Sequence, residues 1–105
     1  MPYLAAESRL RFAVERRLAT GTGPIRERLM TAWVEIAMLG AAGVNVPPEV
    51  MREVNELKQN WAAAGQPGIL NHAKTLSEEN CVTEAERLVR WLHLVSAANA
   101  SAKQA

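Results

Sequence analysis

Residues 24 to 39, Pro-Ile-Arg-Glu-Arg-Leu-Met-Thr-Ala-Trp-Val-Glu-Ile-Ala-Met-Leu, set the hardest constraint on what this chain can fold into. Ile25, Leu29, Ala32, Trp33, Ile36 and Leu39 recur at helical spacing on one stripe, and Met30, Val34, Met38 and Ala41 form a second stripe nearly opposite. Only a wedge around Arg28, Thr31 and Glu35 is polar. A helix that is apolar around most of its circumference has to be covered on more than one side, by its own domain or by a partner. The segment therefore predicts a helix that is either central to a bundle or part of an interface.

The rest of the chain is divided by short Gly/Pro clusters into segments of the same period. Gly21-Thr22-Gly23-Pro24 combines a residue suited to a helix C-cap with one suited to a first helical turn. Gly40, Gly43, Pro47 and Pro48 break the chain again, and Gly65 ends the segment that follows. Tyr3, Ala6, Leu10, Ala13, Val14 and Leu18 share one face of the first segment; Val50, Val54, Leu57 and Trp61 share a face of the third; Cys81, Ala85, Leu88, Val89, Leu92 and Val95 share a face of the last. The spacing predicts an all-α bundle of four helices over residues 3–19, 24–39, 48–64 and 78–98. The connection over 65–76 reads as irregular, with Ile69 and Leu70 plugging into the core. Ser77 reads as the N-cap of the last helix, with Glu78 and Glu79 at its positive end and Leu76 placed to pack on Cys81 as a hydrophobic staple. Residues 1–98 are expected to form one domain and 99–105 a flexible tail.

Composition agrees with a single core. At 105 residues the chain is the size of one domain, and an apolar fraction of 49% with 22% charged residues lies outside the disordered regime. No apolar run approaches the length of a bilayer span, and the N-terminus has no cationic start followed by an apolar block, so the expected setting is the cytoplasm. Cys81 is the only cysteine, which excludes an internal disulfide. Every acidic residue is glutamate, a better helix former than aspartate.

Two stretches, Ala-Thr-Gly-Thr-Gly-Pro-Ile-Arg-Glu-Arg-Leu (19 to 29) and Leu-Ser-Glu-Glu-Asn-Cys-Val-Thr-Glu-Ala-Glu-Arg-Leu-Val (76 to 89), resemble segments of short, uncharacterised bacterial all-helical proteins. The resemblance covers about a quarter of the chain and implies no activity.

No residue set carries a recognisable chemistry. Cys81 sits where a helix dipole would favour a thiolate, but on a face shared with Leu88 and Leu92 it reads as a small core residue. His72 and His93 lack the spacing of neighbouring metal ligands, and Gly21-Thr22-Gly23 has neither the preceding strand nor the lysine of a phosphate loop. The sequence thus predicts no catalytic residues, no metal, no cofactor and no small-molecule substrate. Two surfaces remain. The stripe of Met30, Val34, Met38 and Ala41, together with Trp91 and Leu94 on the last helix, suits a protein partner or a second copy of the chain, since methionine adapts its shape to what it touches. Small regulators, antitoxins, adaptors and phage-type inhibitors work through surfaces of this kind. The alternative is a nucleic-acid or acidic-partner contact through Arg9, Phe12, Arg16, Arg26 and Arg28, because the first 30 residues hold six arginines against three glutamates.

Overall fold

A computed structural model describes residues 2–41 and 44–104; Gly43, one of the expected breakers, and Ala105, the end of the expected tail, lie outside the described residues. Among the described residues there are five helices rather than the expected four. α1 spans Leu4–Phe12 and passes without interruption into π-helical turns over Ala13–Ala19. α2 spans Ile25–Ile36, α3 Pro48–Ala63, α4 Gly68–Lys74 and α5 Glu78–Gln104. Among the described residues there is no strand, and no helix is long and apolar enough to cross a membrane.

The additional helix, α4, replaces the irregular connection over 65–76. Seven residues are too short for periodicity to identify, and a helix of that length owes its stability to packing. That packing is specific. Gly68 lies so close to α3 that a Cβ there would meet the carbonyl oxygen of Trp61 at 2.5 Å. Asn71 donates to the carbonyls of Ala64 and Gly65 at the end of α3, at 3.3 and 2.8 Å. Ala73 is fully buried and the His72 ring stacks on Trp33, with centroids 5.6 Å apart. Of the two residues expected to plug into the core, Ile69 is half-buried and packs against it, whereas Leu70 is exposed.

α5 is longer than the expected 78–98. The helix runs through Asn99 to Gln104, because Asn-Ala-Ser-Ala-Lys-Gln contains neither glycine nor proline and alanine favours helix. Asn99 is buried, and its side chain ties the two ends of the chain together. Its Oδ1 accepts the backbone N–H of Tyr3 at 2.9 Å, a donor at the start of α1 that has no partner within the helix, while its Nδ2 donates to Glu7 at 2.8 Å. Residue 99 is thus joined to the first helix through both polar atoms of its side chain.

The core is built from the stripes that periodicity assigns. Leu10 and Ala13 of the first segment, Leu29, Ala32, Trp33 and Ile36 of α2, Val50, Val54 and Leu57 of α3, and Cys81, Leu88 and Val95 of α5 are all buried. Trp33 packs obliquely on Trp61 with centroids 5.5 Å apart, which joins α2 to α3. Between α3 and α5 the link is polar. Glu53 accepts hydrogen bonds from Arg90 and from Trp91 Nε1, the latter at 3.4 Å, and lies 3.9 Å from Arg87.

The helix ends are closed by side chains from other elements. Arg28 donates to the carbonyls of Leu18 and Gly23, at 2.9 and 3.0 Å, after the π-helical turns. Lys58 donates to Leu39 at 2.7 Å beyond α2, and Arg26 donates to Ala73 at 3.1 Å and to Leu76 at the end of α4. The last carbonyls of a helix have no intrahelical donor, and a cation near them also meets the negative end of the helix dipole.

Two predictions follow from these contacts. Ser77 accepts the N–H of Asn80 at 3.0 Å, the cap geometry its sequence position predicts, so Ser77→Ala should cost about 1 kcal/mol. An unchanged urea midpoint would show that this cap contributes nothing. Glu53 is held below the ordinary carboxyl value of 4.5 by its hydrogen bond from Arg90 and then by that from Trp91, against the effect of burial; Glu7 is held below it by Asn99 and Arg11. A lowered folded value means that the unfolded chain takes up protons first as pH falls. Their stabilisation should thus be present above about pH 4.5 and be lost as pH drops through the folded values. The fall in urea midpoint between pH 6 and about pH 3 should be smaller in the Glu7→Gln, Glu53→Gln double variant than in the parent, and an equal fall would exclude these two carboxyls as the cause.

Candidate functional site

α2 divides its circumference between the core and the surface. Leu29, Ala32, Trp33 and Ile36, and Leu39 just beyond the helix, point inward and are fully buried. On the opposite side Val34 is 56% exposed and Met38 42% exposed, Ala41 is exposed and Met30 is half-buried. The α-helix ends at Ile36, and tighter turns, with Met38 N–H to Glu35 at 3.2 Å and Leu39 N–H to Ile36 at 2.9 Å, carry Met38 and Ala41 onward. Val34, Met38 and Ala41 of the second apolar stripe therefore face outward, while Met30 also packs against the core.

α4 forms the other wall of this surface. Pro67, Ile69 and Leu70 stand beside Met30 and Val34, and together with Glu27 and Thr31 they line an open groove of about 490 Å³. Leu70, 37% exposed, belongs to the groove rather than to the core. Sequence periodicity misses these α4 residues because the helix that orients them is only two turns long. The one available signal is Pro67-Gly68 at a helix start, with two adjacent large apolar residues that a single narrow stripe cannot bury together.

Trp91 and Leu94 do not join this surface. Trp91 is fully buried, its indole directed to Glu53, and Leu94 is half-buried against the core. They extend α5's inward face because the first helical segment, α2 and α3 all pack against α5 and together cover a wider arc than a narrow stripe allows.

The arginines separate into two groups. Arg26 and Arg28 close helix ends, each giving two of its five N–H donors to backbone carbonyls. Arg9, Phe12, Arg16 and Arg17 lie on the surface of the first helical segment, and the π-helical turns determine their arrangement. An α-helix would set Arg9 and Arg16 beside Phe12. With hydrogen bonds reaching from i to i+5, the residue five positions on from Phe12 is brought onto its face instead: the Arg17 guanidinium lies 4.9 Å from the Phe12 ring centroid. Arg9 and Arg17 converge on the single carboxylate of Glu35, at 3.3 and 3.7 Å, across a cleft of about 510 Å³ that Phe12 also lines. Arg11 is held between Glu7 and Glu15. Arg16 is exposed, forms no ion pair among the described residues, and joins Arg17, Arg28, Thr22, Glu27 and Thr31 around a smaller pocket of about 300 Å³.

The remaining chemistry-bearing side chains lie in different surroundings. Cys81 is fully buried, His72 lies face to face with Trp33, and His93 is exposed on α5. Among the described residues no three His, Cys, Asp or Glu side chains converge where they could hold a metal ion.

The division of α2 can be measured directly. Val34→Glu should change stability by no more than about 0.5 kcal/mol, whereas Trp33→Ala should cost about 3–5 kcal/mol. Urea denaturation of both variants checks this, and comparable losses would show that Val34 is covered by its own chain. No family model, no curated protein and no solved structure matches this chain.

Proposed function

We propose that this chain is a non-catalytic protein-interaction module that docks the outer face of α2, together with the adjoining edge of α4, against a protein partner. The observation that carries the proposal is the alignment of exposed Val34 with half-buried Met30 and exposed Leu70 around one groove, with Met38 exposed beyond it on the same apolar stripe. Isolated exposed apolar residues are ordinary, but a contiguous apolar surface rimmed by polar groups marks an interaction site. Two of its residues are methionines, whose flexible side chains adapt to a contacting surface at small cost. A regulatory, adaptor or inhibitor role in the cytoplasm fits a small helical domain of this kind. Nucleic acid is the weaker reading, because Arg26 and Arg28 are engaged with carbonyls and Arg9, Arg11 and Arg17 already face carboxylates.

Site-specific photocrosslinking tests the proposal. A benzophenone side chain in place of Val34 should yield a discrete protein adduct in cells producing the chain, one that Met30→Glu suppresses. The same group in place of Val82, an exposed apolar residue of α5, should yield little. The adduct's mass distinguishes a second copy of the chain from a different protein. Equal yields at the two positions would remove α2 as the docking face.

A further inference from the structure

The apolar groove and the arginine-lined pocket are not separate features of the surface. Glu27 and Thr31 line both, so α2 carries the apolar groove on one flank and the arginines of the first segment on the other. Arg17 extends the second flank into the cleft with Arg9, Phe12 and Glu35. Along that flank Arg9, Arg16, Arg17 and Arg28 outnumber Glu27 and Glu35, and an anion approaching it meets a net positive field.

We propose that the occupant of the α2 face is an amphipathic helix of a different protein, with an apolar stripe for the groove and glutamates or aspartates along the edge that lies over Arg16 and Arg17. This inference rests on the α2 face being the docking surface and adds the chemistry of what docks there. Three observations select the occupant. Charge complementarity sets its acidic edge: Arg16 is exposed without an ion-pair partner among the described residues, and Arg17 presents a guanidinium fixed in place by Phe12 and Glu35. An oriented guanidinium loses little freedom on taking a second carboxylate, and it has five donors to distribute. The helical form follows from the walls. Met30 and Val34 are one helical turn apart on α2, a ridge that fits between the ridges of a second helix. Among the described residues there is no strand, hence no sheet edge to which an extended segment could add itself. A second copy of this chain is disfavoured because its own apolar stripe is bordered by the same excess of arginines.

Two fluorescein-labelled helical peptides test this with the intact protein. Both carry the same leucine and alanine seam; one has glutamates along a single edge and the other has lysines there. Fluorescence anisotropy at low salt should show the glutamate peptide binding at least tenfold more tightly. The preference should shrink as ionic strength rises, and Arg16→Glu should reduce it at least threefold. Val34→Glu should weaken the glutamate peptide's binding about tenfold or more. Equal affinity for the two peptides, with loss of both in Val34→Glu, would overturn the acidic edge while leaving α2 as the docking face. Failure of the glutamate peptide to bind would overturn the inference, with crosslinking from position 34 deciding separately whether α2 docks anything. A concentration-dependent dimer in light scattering that Val34→Glu dissociates would assign the face to a second copy and overturn it as well.

Discussion

Burial of Trp33 is the constraint around which the other elements are arranged. Its ring is enclosed between Trp61 of α3 and His72 of α4, so one side chain of α2 fixes the positions of the two helices that follow it. The indole N–H groups of Trp33 and Trp61 make no hydrogen bond to another described residue. What holds them is therefore apolar area and ring packing. Because α2 gives this face to the core, its opposite face is left to the solvent, and the groove with α4 is a consequence of the same packing.

Closure of the helix ends has a second consequence, for charge. Several helix C-termini in this fold rely on long cationic side chains from neighbouring elements: Arg28 at the end of the π-helical turns, Lys58 beyond α2 and Arg26 at α4. Each joins two elements while satisfying a carbonyl that water would otherwise have to reach. The formal charge of the N-terminal third is unaltered, but its availability changes. Arginines engaged at helix ends are half-buried and tied to their own chain, which concentrates any electrostatic recognition on exposed Arg16 and on exposed Arg17 over Phe12.

The π-helical turns link local geometry to that surface. By carrying the backbone hydrogen bonds one residue further, they keep Ala13 and Leu18 buried while bringing Phe12 and Arg17 together on the outside. At the other end of the molecule Asn99 joins Tyr3 and Glu7, so the first and last helices meet through a buried polar side chain whose oxygen and nitrogen are both hydrogen-bonded. The two polar links, Asn99 and Glu53, hold α5 against α1 and α3 on the side of the bundle that the groove does not use.

Helix type, the main inward stripes, the cap at Ser77 and the unusual apolar content of residues 24–39 are all legible in the sequence, because each depends on residues within one or two helical turns of one another. The excess of arginine near the N-terminus is equally plain. What only the tertiary structure decides is which apolar side chains stay outside and which arginines stay free. Val34 and Trp91 have similar claims to an interface as read from the chain, yet one is mostly exposed and the other fully buried, since coverage depends on how many helices surround each one. α4 is too short to announce itself, and its contacts with Trp61 and Trp33 exist only once α2 and α3 are in place. Asn99 looks like the start of a tail because its partners lie more than 90 positions earlier in the chain. Local patterns are fixed by short-range periodicity, whereas exposure and pairing depend on contacts between distant segments, and those exist only in the folded protein.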